Sequence, residues 1–384
     1  MPLSPDPRRP LGLVLSGGGA RGAFQVGVWK TLREHPNGFR GAPDAISGTS
    51  AGALNGALIA AGLEPEELLK FWLDLADNPP VVANESFFRS LGDELQRLLR
   101  QEPLRPLGRR ERELRIFGGL LRKHRWYSES GRLAMLVEFL LTARFDSISS
   151  LLSTIQSTYV FSTEPMRDRL ANAIGARELR GSKVKLAINT VDARTGCVVR
   201  IVNHMPDKLP AASKHYRYEP VISLDMILAS ASIPILFNPV RVGEMDLWDG
   251  GLLVNSPMAP AVALGAHRIV PVLVTLGPSE AAQPMRTLGS AVERLADTFL
   301  ENAYNTDRKL LLDRNALAAQ HGDPDLRQVD LFRAIRPTPS GHFDAGSYLY
   351  FERNAMLAMY EEGRQAARAW LARGPQLDGR NLAE

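Results

Sequence analysis

The chain has 384 residues, 45% of them hydrophobic and 23% charged. That balance fits a globular protein with a sizeable core and excludes a disordered, collagen-like or coiled-coil chain. A single cysteine, Cys197, excludes an intramolecular disulfide framework and a cysteine-rich zinc module. The net charge of +4 is unevenly placed, because residues 97–125 hold ten Lys/Arg against three acids and leave the remainder net acidic. One anionic contact surface fits that distribution better than a protein that coats nucleic acid, so no nucleic-acid partner is expected.

Arg8-Arg9 ahead of Leu11–Leu15 has the outline of a short signal, but the apolar run is broken at once by Ser16-Gly17-Gly18-Gly19. A fully buried strand over Leu11–Leu15 accounts for it better. Gly22–His35 follows with Phe24, Val28 and Leu32 at four-residue spacing, the apolar stripe of a helix lying on a sheet. Asp44-Ala45-Ile46-Ser47 predicts a second short strand and Ser50–Ala61 a small-residue helix. The longest near-apolar stretch, residues 53–62, is too short to span a bilayer. Strand, glycine turn, helix, strand, sharp turn, helix is the pattern of a parallel α/β protein.

The pattern changes after Asn78, where Pro79-Pro80 opens a basic segment containing Phe87, Phe88, Phe117, Trp126 and Tyr127. It is expected to be an insertion over about 78–130, serving as a lid or a membrane-contact segment. Lys183–Asn189 and Cys197–Asn203 predict two strands joined through residues 192–196, and Arg268–Leu276 predicts another. Beyond Gly277 the pattern is mostly helical, ending in Tyr350–Trp370 with Met356, Met359, Tyr360 and Gly363 at helical spacing. Core packing or an oligomer contact suits that helix better than a membrane role, and a homo-oligomer stays open.

Three elements carry chemistry. Gly48-Thr49-Ser50-Ala51-Gly52 is a G-x-S-x-G pentapeptide set between a short strand and a small-residue helix. Such a turn strains its central serine and pushes the hydroxyl out at the carboxyl edge of the sheet, beside a helix N-terminus. A tight turn whose serine merely caps the helix would have the same sequence. Ser16-Gly17-Gly18-Gly19-Ala20-Arg21-Gly22 lets several backbone N–H groups converge on one anionic oxygen. Gly17, Gly19 and Gly22 also satisfy G-x-G-x-x-G, which keeps a dinucleotide-binding oxidoreductase open, although Asp44 begins the second strand where that reading wants an acid at its end. Asp249-Gly250-Gly251 offers a carboxylate on a glycine-flanked turn, a usable base if desolvated. A Ser-Asp-His triad would call on His267, His321 or His342, and none stands in a loop suited to it.

Together these segments resemble the patatin-like phospholipases. Ala229-Ser230-Ala231-Ser232-Ile233-Pro234, with Phe237 and Pro239, and then Asn255 and Pro257, reinforce the likeness, which spans about Leu11 to Leu276. The resemblance implies a three-layer α/β fold with a mostly parallel central sheet flanked by helices. The catalytic domain would cover 11–276, with a basic helical insertion, and a helical extension over 277–384 would pack on the core. It further implies a Ser–Asp dyad of Ser50 and Asp249 that works without histidine, cofactor or metal. Oxyanion donors would come from Gly17, Gly18 and Gly19, with Gly22, Gly48, Gly52, Gly250 and Gly251 supporting and Arg21 serving the loop or a lipid head group. The expected substrate is a phospholipid or lysophospholipid, with neutral lipids or simple carboxylesters as the alternative. The expected setting is cytoplasmic or peripheral to an anionic membrane met through 97–125, with non-classical secretion open. A catalytically silent patatin fold acting as a binding module is disfavoured because Ser50 and Asp249 are both present.

Overall fold

Strand β1 (Leu11–Leu15) is buried along its whole length, and its side chains divide between two apolar clusters. Leu11, Leu13 and Leu15 enter one, and Val14 the other. β2 (Ala45–Thr49) and β5 (Lys185–Asp192) alternate in the same sense, with Ile46, Leu186 and Ile188 on the first face and Ala45 and Ala187 on the second. A sheet covered on both faces needs such continuous apolar strands, which is why these runs show no polar alternation. The computed structural model describes Leu3, residues 9–100 except Arg40, and residues 155–277 apart from 156, 176, 178, 180–181 and 207–214. It further describes residues 288–338 apart from 322–327, Tyr348, and residues 350–379.

The first face carries α1 (Gly22–Glu34), α2 (Ala51–Ala60), α3 (Pro65–Asp77), α5 (Glu164–Ile174), α6 (Leu224–Ala229) and α9 (Arg353–Ala372). The second carries α7 (Met258–Ala263) and α8 (Leu288–His321). Helices, sheet and helices therefore form three layers. α9 is the expected C-terminal helix; Met356, Met359 and Ala367 are fully buried against α1. The axes approach closely because a Cβ on Gly363 would meet the Phe24 carbonyl oxygen at 2.1 Å.

Strands β12 (Asp330–Leu331), β11 (Arg268–Val272), β1, β2 and β5 lie side by side, all parallel. β6 (Val198–Val202) pairs antiparallel with β5 from Ala187 to Val191, and β7 (Tyr216–Tyr218) lies parallel to β6. β10 (Met245–Asp249) pairs antiparallel with the end of β5 and with β9 (Val240–Val242). All the strands expected from the sequence are present, within a few residues of their expected ends. β12, two residues long and without periodicity, had no signal to find.

A second compact unit comprises residues 81–162 and 235–238. Its described part holds α4 (Glu85–Arg100) and a sheet ordered β3 (Val82–Ala83), β4 (Tyr159–Ser162) and β8 (Ile235–Phe237). Phe87, Phe88, Leu91 and Val160 form its own core. Residues 101–154 lie outside the described residues, and with them most of the basic window at 97–125 and much of the expected insertion. No helix among the described residues is long and apolar enough to cross a membrane.

Candidate active site

Ser50 stands between β2 and α2 at φ 54°, ψ −124°, one of two non-glycine described residues with positive φ. Holding a serine there costs on the order of 1–3 kcal/mol, so the surroundings must impose it. They do so by crowding. A Cβ on Gly48 would lie 2.3 Å from Gly52 O, and one on Gly52 would lie 2.2 Å from Leu15 O. The first turn of α2 thus rests directly on the end of β1, and Ser50 is projected from the carboxyl edge of the sheet. Ser50 N–H donates to Ser230 Oγ at 3.0 Å, and that hydroxyl donates to Asn189 O at 2.6 Å.

The register of β5 brings the carboxylate to the serine. β2 pairs with β5 as far as Thr49 opposite Asn189, and β10 takes over the same edge with Asp249 opposite Thr190. β6 fills the other edge over these residues. β2 and β10 therefore meet end to end, one parallel to β5 and one antiparallel, and their last residues adjoin. Gly250 permits the meeting, since a Cβ there would stand 2.4 Å from Asn189 O. Asp249 N–H donates to Ser232 O at 2.9 Å, so Ser230 and Ser232 between them fix the backbone of both residues.

Gly251 N–H donates to Asp249 Oδ1 at 2.7 Å, and hydrogen bonding from the neighbouring Ser50 side chain also favours the ionised carboxylate. Burial pushes the Asp249 carboxyl up to about 6, outweighing these two hydrogen bonds, which favour the ionised form. A base must be ionised to accept a proton, so with Asp249 in that role kcat/KM is expected to rise with pH and level off above a midpoint near 6. Initial rates on a soluble ester across that range check it; a midpoint near the ordinary carboxylate value would contradict a desolvated base.

The glycine loop follows β1 at the same edge. The N–H groups of Gly18 and Gly19 have no acceptor among the described residues, and Gly19 has φ 55°. Gly17 corrects the expectation of three donors. Its N–H is taken by Asn255, through O at 3.2 Å and Oδ1 at 3.1 Å, which leaves Gly18 and Gly19 as the available pair. Arg21 is fully buried, with its guanidinium held by Asp297, Glu293 and Val274 O. Buried in this way, it offers no exposed guanidinium to a head group. Gly22 opens α1, packed against the Trp72 ring.

Among the described residues the rivals do not find their partners. Asp44, the acid nearest the second strand, lies at the opposite edge and accepts Leu11 N–H at 2.7 Å, so it is far from any dinucleotide on the glycine loop. His267 also precedes its strand, β11, at that opposite edge, and His342 lies outside the described residues. Among the described residues no three His, Cys, Asp or Glu side chains cluster as metal ligands do. The roles of Ser230, Ser232 and Asn255 escaped the residue-by-residue reading, since a serine in Ala-Ser-Ala-Ser carries no local sign of a long-range bond.

A family model described as patatin-like phospholipase matches residues 13–262. A stretch of 53 residues is 60% identical to "Lysophospholipase nte1" of Aspergillus terreus, covering 14% of this chain and only 3% of that protein. VipD from Legionella pneumophila is 15% identical, with a TM-score of 0.34, over 94% of this chain and 67% of that one. The type III effector protein ExoU, with a TM-score of 0.35, is 17% identical over 96% of this chain and 54% of its own. With about two thirds of its length matched by the family model, and the serine turn, glycine loop and aspartate turn gathered at one edge of the sheet, the chain belongs to the patatin-like phospholipase family, a family of lipid acyl hydrolases.

Proposed function

We propose that this protein hydrolyses fatty-acyl esters of phospholipids or lysophospholipids, with Ser50 as nucleophile and Asp249 as the base acting on it directly. The observation that carries this reading is the end-to-end meeting of β2 and β10 along β5, which sets Ser50 beside a carboxylate that burial has made more basic than usual. As Ser50 Oγ attacks the ester carbonyl carbon, its proton passes to Asp249. The tetrahedral oxyanion is received by Gly18 and Gly19 N–H, each such donor contributing about 3–4 kcal/mol. Collapse expels the lipid alcohol, which takes the proton from Asp249. Water then attacks the acyl-enzyme and gives its proton to the same carboxylate; on collapse Ser50 Oγ leaves with that proton and the fatty acid is released. Asp249 therefore serves as base in attack and acid in departure, which a group near neutrality does better than an ordinary carboxylic acid.

Likeness to the Aspergillus lysophospholipase favours lysophospholipids, and neutral lipids are the second substrate class on the same dyad. An anionic membrane surface met through residues 97–125 belongs to the same proposal, supported by charge alone, with each cation contributing about 1 kcal/mol near the surface. A fluorophosphonate probe tests the nucleophile. It is expected to label the native protein and to leave Ser50→Ala unlabelled; an unlabelled native protein, or a labelled variant, overturns the assignment. Mass spectrometry of a total membrane extract after incubation is expected to show free fatty acid and a deacylated phospholipid, and an unchanged phospholipid pool would remove that substrate class.

A further inference from the structure

The oxyanion loop is braced from a part of the chain beyond residues 13–262, the span that the family model matches. Arg21 has no solvent exposure, so its charge has to be balanced inside the protein. Two carboxylates from α8 do so: Arg21 Nη1 donates to Asp297 Oδ1 at 2.9 Å and Nη2 to Glu293 Oε1. Nη1 also reaches Val274 O at 3.3 Å. The guanidinium carbon lies 3.7 Å from the centre of the Tyr348 ring, and the Tyr348 hydroxyl donates to the same Asp297 Oδ1.

Tyr348 also holds the loop through its backbone. Ala20 N–H donates to Tyr348 O at 2.9 Å, and a Cβ on Gly19 would lie 2.0 Å from that carbonyl oxygen. Phe351 stacks on Trp72 with its ring centre 6.5 Å away, and Trp72 Nε1–H donates to Asn55 Oδ1 in α2. Burial holds the Tyr348 phenol well above its ordinary range, so the hydroxyl stays a donor at every working pH. The guanidinium of Arg21, two residues after Gly19, is thus clamped between a ring and two carboxylates, a geometry that a lysine could not reproduce.

We propose that Glu293, Asp297 and Tyr348 are positioning residues for ester hydrolysis, which through Arg21 keep the Gly18 and Gly19 amides aimed at the developing oxyanion. The segment beyond residue 262 then completes the catalytic machinery. This rests on the reading of Gly18 and Gly19 as oxyanion donors.

The test uses the full chain with Glu293→Gln and Tyr348→Phe, because each leaves Asp297 facing Arg21 and avoids an unpaired buried charge. With a soluble short-chain ester, kcat is expected to fall roughly 10- to 100-fold with KM within about twofold, because an amide displaced by a fraction of an ångström loses transition-state rather than ground-state binding. The fluorophosphonate labelling rate of Ser50 is expected to fall in parallel, while the kcat/KM midpoint near 6 stays in place because Asp249 is untouched. Arg21→Lys is expected to lose kcat in the same way. Unchanged kcat in both folded variants overturns the proposal, as does a rise in KM alone, which would make these residues part of substrate access. A native protein that the probe fails to label would instead sink the dyad reading beneath it.

Discussion

Asp249→Asn is expected to lose ester hydrolysis and to gain stability. The two effects share one cause, the burial that raises the Asp249 carboxyl from 3.8 to about 6. An asparagine keeps an oxygen for Gly251 N–H and the same volume, but it cannot take a proton from Ser50. Turnover is expected to drop by about three orders of magnitude or more, the usual scale when a base that works as a unit with its nucleophile is removed. Stability moves the other way. Between about pH 4 and pH 6 the unfolded chain releases this proton while the folded protein keeps it, so rising pH favours unfolding through that window. Above it the buried charge costs about 3 kcal/mol, an order-of-magnitude figure from the shift at 1.36 kcal/mol per pH unit. The amide removes that cost. Paired thermal melts should therefore show the variant more stable by a few degrees at about pH 8 and indistinguishable from native at about pH 4. A variant less stable than native at the higher pH would mean that the carboxylate is compensated and not strained.

Part of this site is written locally in the chain, and part exists only in the fold. The run Leu11–Leu15 and the glycines around Ser50 are local: each encodes a strand or a turn within a few residues, and each appears where the pattern put it. The meeting of Ser50 with Asp249 is not local. It depends on β2 and β10 dividing one edge of β5 at Asn189 and Thr190, and no periodicity in either strand records that division. Gly17 shows the limit most clearly. Three consecutive glycines offer three amides, but whether one is already engaged was decided by Asn255, 238 positions away. Arg21 followed the same rule, since an arginine beside an anion loop suggests a ligand contact until two acids more than 270 positions on are seen to neutralise it. Resemblance to a family supplied the pairing of Ser50 with Asp249, and bond-by-bond geometry was needed to say which neighbours hold them.

Gly52→Ala is expected to be severely damaging, and Gly56→Ala, one turn further along α2, far milder. At position 52 the new Cβ would meet Leu15 O at 2.2 Å, Leu15 C at 2.6 Å and Ser16 O at 2.8 Å, all backbone atoms at the end of β1. None can swing aside, because β1 is hydrogen-bonded between β2 and β11. The first turn of α2 has to retreat by about an ångström, carrying Ser50 away from Asp249 and from the glycine amides. A displacement of that size costs roughly 100-fold in rate, and the forced fit adds about 1–3 kcal/mol of destabilisation. At position 56 the nearest atom is Ile46 Cγ2 at 2.9 Å, followed by Leu186 Cδ1 at 3.5 Å and Leu15 Cδ1 at 4.0 Å. All are side-chain atoms, so a shift of a few tenths of an ångström in side chains suffices and no strand backbone has to move. The strain there is offset by the helix propensity of alanine, worth about 1 kcal/mol over glycine. Labelling rates and melting temperatures of the two variants, side by side, test whether close backbone approach fixes the serine. If Gly56→Ala were as slow as Gly52→Ala, general loosening of α2 would explain the loss, and contact with the end of β1 would not.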